Sequence, residues 1–161
     1  MKTFILAFCL ALLPSCGLAQ TVENFELKDL RNNLQEFDAL KREKLTLIDF
    51  WASWCKPCKK AIPNLNDIYA KYKEKGVEII GINCDGPRSI SKVVPLSKSL
   101  RIQYPVLLDI DAAVKNDLNI MLFPTLIMVD TSGNIVWTHE GFVSGDKEHI
   151  KKAIDHQLNM L

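Results

Sequence analysis

The sequence predicts an α/β fold in which strands alternate with helices, with an N-terminal β-hairpin and a helix–strand segment at its centre. Two patterns predict it. An apolar run over residues 45–51 leads directly into a stretch whose apolar residues recur three and four apart. Further strand-length runs at 77–82, 105–109, 125–130 and 135–140 are interleaved with helical patterns or tight turns. The 161 residues allow one domain of ordinary size, with a core that needs no disulfide staples. A formal charge of +1 gives no global basic field, so no nucleic-acid partner is expected.

Residues 1–19 read as a signal peptide: Lys2, an apolar run from Phe4 to Leu13, then small residues ending at Gly17-Leu18-Ala19. The run is shorter than the roughly 20 apolar residues a membrane span needs. Cleavage after Ala19 is the expectation, giving an exported protein of the periplasm or cell envelope. Leu13-Pro14-Ser15-Cys16 also resembles a bacterial lipobox, and processing there would tether the chain to a membrane through a lipidated Cys16. Cys9 leaves with the leader in either case. Simple cleavage removes Cys16 too and leaves Cys55, Cys58 and Cys84. One close pair and one leftover thiol argue for a working disulfide rather than a structural framework.

Residues 20–44 form an N-terminal extension. Phe25-Glu26-Leu27 and Leu34-Gln35-Glu36-Phe37 alternate about a polar Arg31-Asn32-Asn33 turn, which predicts a small hairpin, with an unstructured spacer as the alternative. The main domain is expected over 45–161. Leu45 to Trp51 has the apolar density of a strand covered on both faces. Asp49 interrupts it. A charged, unpaired carboxylate there costs several kcal/mol, so Asp49 should have a raised pKa or a function, unless it lies at a wet strand edge.

Cys55 and Cys58 follow where the strand runs into a helix. A Cys-x-x-Cys turn at a helix N-terminus sets the first sulfur against unpaired backbone N–H groups and the positive end of the dipole, both favouring thiolate. The second sulfur, inside the first turn, can close a disulfide with the first and act once a mixed disulfide has formed. The same spacing serves zinc. A zinc site needs a second pair of ligands, and Cys84, His139, His149 and His156 lack the spacing to supply one.

In the helix, Cys58, Ala61, Ile62, Leu65, Ile68, Tyr69 and Tyr72 make one apolar stripe. Pro63 should kink it and Gly76 should stop it. Val77 to Ile82 reads as the next buried strand, with Cys84 in the turn beyond it as a half-buried spare thiol or, less favoured, a third group reaching the redox pair. Residues 88–120 predict a helix broken near Pro95, a short strand at 105–109 and a helical turn through Asp117. Thr125–Asp130 and Ile135–Glu140 flank Thr131-Ser132-Gly133-Asn134 as a hairpin. Asp146 is placed to cap a last helix with Ile150, Ala153, Ile154 and Leu158 on its apolar face, leaving His149 and His156 at the surface.

The run Asp49-Phe50-Trp51-Ala52-Ser53-Trp54-Cys55-Lys56-Pro57-Cys58 resembles the active site of the thioredoxin family. Pro63, Phe123-Pro124-Thr125, Gly141 and Gly145 match as well, so the resemblance extends over about residues 45–160. It implies a thioredoxin fold, a central mixed sheet flanked by helices in which the helix–strand segment of residues 88–120 is a central insertion, and a Cys55–Cys58 redox disulfide, with Asp49 behind Cys58 as its proton acceptor and donor. It also implies a cis-proline loop at Phe123-Pro124-Thr125 that presents backbone groups to an extended substrate segment. Trp54, Lys56 and Pro57 should line the same docking surface, with Phe50 and Trp51 packed beneath. The N-terminal hairpin and the insertion are similar to the exported TlpA/ResA branch. Asp49 departs from that branch, which often has a non-acidic residue there. No glutamate lies between Glu78 and Glu140, where its cytochrome-maturation members tend to place an acidic residue in the groove.

The function expected is that of an extracytoplasmic protein-disulfide reductase, because Lys56-Pro57 resembles the dipeptide of reductive members. A disulfide oxidase or isomerase, or a non-enzymatic metal-binding or assembly module, is the alternative. No cofactor or metal is expected, since the electrons travel on sulfur. The expected partners are disulfide-bearing proteins and a membrane thiol relay that recharges the pair, with the chain itself a monomer.

Overall fold

The computed structural model describes residues 20–161, so the leader expected over 1–19 and the processing alternatives at Ala19 and Cys16 lie outside the described residues. The chain enters beside a turn at one end of the sheet, where the Val22 N–H donates to the Gly133 carbonyl at 2.8 Å and the Gln20 carbonyl accepts from Ile135 at 2.9 Å. It then forms a hairpin of β1 (Glu26–Asp29) and β2 (Leu34–Glu36). The Asp29 carboxylate closes the turn by accepting from the Arg31 and Asn33 N–H groups at 2.8 and 2.9 Å, with Asn32 left-handed at φ 67. Phe37, read from sequence as strand, instead opens a short helix, α1 (Phe37–Leu40), and stacks on Phe25 at 4.9 Å. Tertiary packing of that ring overrides the local alternation.

The central strand β3 (Leu45–Trp51) is buried along its whole length and leads into α2 (Lys56–Tyr72). Pro63 lies inside α2, which continues through it. A 3₁₀ turn and the left-handed Gly76 (φ 84) end the helix, and β4 (Val77–Asn83) follows. The insertion holds α3 (Val93–Ser99) and β5 (Val106–Leu108). The helical run is divided near Pro95, as expected: a 3₁₀ turn at Ile90–Lys92 gives way to α3, and Pro95 lies in the first turn of α3, where a missing N–H is tolerated. The short α4 (Ala113–Asp117) is capped by Asp109, whose carboxylate accepts from the Val114 and Lys115 N–H groups. The chain closes with the hairpin β6 (Thr125–Val129) and β7 (Ile135–Glu140), then α5 (Asp146–Leu158).

The seven strands are ordered β2-β1-β5-β4-β3-β6-β7. β3 is parallel to β4 and β4 to β5, while β1–β5, β3–β6 and both hairpins are antiparallel. Alternation along β3 divides the core in two. Leu45 and Leu47 pack with Leu65, Ile68 and Tyr72 of α2 and Ile150 and Ile154 of α5. Ile48 and Phe50 pack on the other face with Phe37, Ile80, Ile82 and Val114. A third cluster gathers Trp51, Ala52, Cys55, Cys58, Ile62, Val93 and Val106 at the head of α2.

The last helix begins differently from the sequence expectation. Gly145 (φ 102) takes the cap position without a side-chain bond, and Asp146 is the first helical residue. Its carboxylate accepts from the Val143 N–H at 2.6 Å and lies 3.1 Å from His139 Nε2. Asp146 thus fixes the preceding loop to β7 rather than capping α5. His149 and His156 are exposed.

Candidate functional site

Cys55 is the N-cap of α2, in extended conformation at φ −77, and Pro57 lies in the first turn, where its fixed φ suits the helix. The Cys58 N–H donates to Cys55 Sγ at 3.1 Å, a capping bond in which sulfur takes the place usually held by an oxygen. Cys55 and Cys58 form a disulfide with their Cα atoms 5.3 Å apart. Sequence spacing suggests a reactive first sulfur and a shielded second one. The oxidised pair shows little contrast, since Cys55 is 4% exposed and Cys58 1%. The exposed neighbours are Trp54, at 63%, and Lys56 and Pro57.

Across the pair runs the loop before β6. The Phe123–Pro124 peptide is cis. Phe123 packs against the cluster holding both cysteines and meets the edge of Trp54 at 5.6 Å. Pro124 is buried and its carbonyl accepts from the Gly141 N–H at 2.8 Å, tying the loop to the end of β7. Thr125 is buried, its hydroxyl donating to the Leu122 carbonyl at 2.9 Å, so its side chain braces the loop rather than facing solvent.

Asp49 is 1% exposed and alternates with Leu47 and Trp51, so it points to the face that α2 covers. Burial pushes its carboxyl up to about 7, partly opposed by the Tyr104 hydroxyl, which donates to Asp49 Oδ2 at 3.2 Å. Its Oδ1 finds no partner among the described residues. The wet-edge alternative for Asp49 therefore fails. Cys84 is a free, half-buried thiol packed with Ile80 and Ile82 on the opposite face of the sheet from the pair. Its ionisation is pushed well up by burial and by Asp109. Among the described residues no cluster of three or more His, Cys, Asp or Glu has metal-holding geometry.

Sequence reasoning missed three features. Asp85, fully buried, accepts from the Ser53 N–H and hydroxyl, both at 2.6 Å, and from the Asn83 amide at 2.8 Å. Those bonds hold the segment before Cys55 to the end of β4, and Asn83-Cys84-Asp85-Gly86-Pro87 hinted at them only as a turn. Tyr104 beside Asp49 left no local signal. Met121, Leu122 and Val143 are exposed apolar residues close in sequence to Pro124 and Gly141. The run Met121-Leu122-Phe123 before a proline, outside any periodic pattern, was the available sign.

A sulfur pair at a helix head, packed against a cis-proline loop, on a sheet whose central strand buries a carboxyl on the helix-covered face, defines a thioredoxin-superfamily thiol-disulfide oxidoreductase. The profile of the AhpC/TSA family matches residues 18–138, and the chain belongs to that family. A thiol-disulfide oxidoreductase ResA from Bacillus thuringiensis subsp. konkukian is 31% identical over 137 residues, covering 84% of this chain and 78% of the relative. The thioredoxin domain of a thiol-disulfide oxidoreductase from Bacteroides vulgatus superposes with a TM-score of 0.69 at 26% identity, covering 84% of this chain and 96% of that one. A thioredoxin-like protein from Porphyromonas gingivalis superposes with a TM-score of 0.71 at 28% identity, covering 86% and 92%.

Proposed function

We propose that the chain reduces disulfides of protein partners outside the cytoplasm, with Cys55 as the attacking sulfur. The observation that carries this reading is the Cys58 N–H aimed at Cys55 Sγ from 3.1 Å at the head of α2. In the dithiol state that donor and the helix dipole favour a thiolate at Cys55. The thiolate attacks one sulfur of a substrate disulfide, forming a mixed disulfide and releasing the other substrate sulfur as a thiolate, which takes a proton from solvent. Asp49 then accepts the Cys58 proton. The Cys58 sulfur attacks Cys55 Sγ, closing the Cys55–Cys58 disulfide and expelling the second substrate thiolate, which is protonated in turn. Two electrons pass from the pair to the substrate, and a membrane dithiol relay must return them.

Trp54, Lys56, Pro57 and Phe123 form the docking surface in this reading, with Pro124 and Thr125 contributing backbone. The exposed Met121, Leu122 and Val143 would enlarge its apolar area. Export rests on the leader at residues 1–19, with a lipid tether at Cys16 as its variant, and the working domain is assigned to residues 45–161 as a monomer.

Two measurements test the proposal. Equilibration in glutathione buffers should give a potential near that of thioredoxin, about −270 mV, and a value above about −150 mV would make the chain an oxidant instead. In cells, Cys58→Ser should accumulate mixed disulfides on Cys55 that Cys55→Ser lacks. Equal recovery of partners by both variants would show binding without exchange.

A further inference from the structure

Tyr104 precedes β5, two strands away from Asp49 on β3, with β4 between them. Neighbouring strands lie about 4.8 Å apart, so a side chain starting beside β5 must cross about 10 Å to reach β3. It can do so only over a gap in β4. Gly81 is that gap. It is the register partner of Asp49 on one side and of Val106 on the other, and its N–H donates to the Pro105 carbonyl at 2.8 Å. A Cβ at Gly81 would lie 3.1 Å from Tyr104 Cε2 and 3.2 Å from Trp51 Nε1. It would crowd the phenol ring and the Trp51 indole, which would have to give by a few tenths of an ångström.

Tyr104 is itself buried, with Tyr69 of α2 edge-on at 6.2 Å. Burial and the charge of Asp49 push the Tyr104 phenol well above 10, so the hydroxyl remains a donor throughout the working range. The other titratable group that senses Asp49 is the Cys84 thiol past the end of β4, on the opposite face of the sheet, whose ionisation the Asp49 charge opposes. Its register partner on β6 is the apolar Leu126. Among the described residues no cation forms an ion pair with Asp49.

We infer that Tyr104 is a positioning residue for thiol-disulfide exchange. Its hydroxyl, carried by the insertion through the gap at Gly81, holds Asp49 Oδ2 and so sets the pH at which Asp49 exchanges its proton. The inference rests on the reading of Asp49 as proton carrier for Cys58. Losing a donor to the ionised carboxylate favours the protonated form, so the Asp49 midpoint should rise when the hydroxyl is removed.

The test follows the Asp49 carboxyl carbon by NMR across pH in the reduced full chain. Tyr104→Phe should move the midpoint up by about one pH unit. Gly81→Ala, which crowds the ring without removing the hydroxyl, should move it in the same direction by less, and Cys84→Ser should leave it in place. In the unaltered chain, the ring carbon bearing the Tyr104 hydroxyl should shift with the Asp49 midpoint, a readout that does not depend on any variant folding. An unmoved midpoint in Tyr104→Phe, or a Tyr104 signal flat across the Asp49 titration, overturns the role of Tyr104 alone. If the midpoint moves but Asp49→Asn resolves mixed disulfides with the wild-type pH profile, the proton-carrier reading fails, and Tyr104's part in exchange fails with it.

Discussion

Replacing Asp49 by Asn should remove a pH dependence from the stability of the oxidised fold. Burial holds the Asp49 carboxyl at about 7, against an ordinary value of 3.8. Between those values the folded chain keeps a proton that the unfolded chain gives up, so stability must fall as pH rises. The contribution is fully present below the unfolded value and is lost as pH climbs through the folded one. Each pH unit between the two values is worth about 1.36 kcal/mol, which brings the loss to about 4 kcal/mol. A domain of this size has roughly 5–15 kcal/mol in total, so the effect is large.

Asn keeps an oxygen for the Tyr104 hydroxyl but sets an NH₂ where Oδ1 has no partner. An unpaired buried donor costs about 1–3 kcal/mol, a penalty that does not vary with pH and so leaves the slope untouched. Urea unfolding of both oxidised chains from about pH 4 to about pH 9 should show Asp49→Asn gaining about 4 kcal/mol on the parent, mostly between about pH 4 and pH 7. Parallel curves would refute the reasoning, because they would mean that Asp49 ionises in the fold as readily as in a loose chain.

Trp54→Ala should raise the KM for a protein disulfide about tenfold while changing stability by less than about 0.5 kcal/mol and sparing turnover of a small aromatic disulfide. Equal losses on both substrates would assign the ring to the sulfur chemistry instead of docking. Asp85→Ala should cost about 3 kcal/mol or more in urea unfolding at neutral pH, since Ser53 and Asn83 lose a buried charged acceptor, and a cost below about 1 kcal/mol would sink that account. Burial alone would raise the Asp85 carboxyl, but hydrogen bonds led by Ser53 outweigh it and hold the group below 3.8. Its contribution is therefore present at neutral pH and lost as pH falls through that lowered value, which an acid unfolding series on parent and variant would read. Phe37→Ala removes a fully buried ring stacked on Phe25 and should cost about 3–5 kcal/mol with no change in the redox potential of the cysteine pair.

The strand-to-helix junction was legible because its signals are local. Residues 45–51 have the density of a strand buried on both faces, and Cys55, Pro57 and Cys58 carry the chemistry of a helix start in their own identities. Phe123-Pro124-Thr125 was legible only by resemblance, since nothing in the tripeptide says which strand it will face. Three features were not readable because they depend on long-range pairing. Tyr104 meets Asp49 across 55 residues of sequence, and Asp85 meets Ser53 across 32. Phe37 looked like the end of a strand, yet its ring is worth more buried against Phe25 than extended beside Glu36. Asp146 had the sequence signature of a cap, but Gly145 at φ 102 shifted the helix start by one residue and freed the carboxylate to bind Val143 and His139.

The order of strands has a consequence for how this protein could have been assembled. Among the described residues, the N-terminal hairpin pairs into the sheet through β1 on β5, and β5 is the strand contributed by the insertion. Without β5, β1 would lose the strand it pairs with, and without β1, the outer side of β5 would be a raw edge open to other chains. The two embellishments are therefore structurally interdependent. A descendant or engineered chain trimmed of one should require removal of the other, leaving β4 as the new border of a narrower sheet.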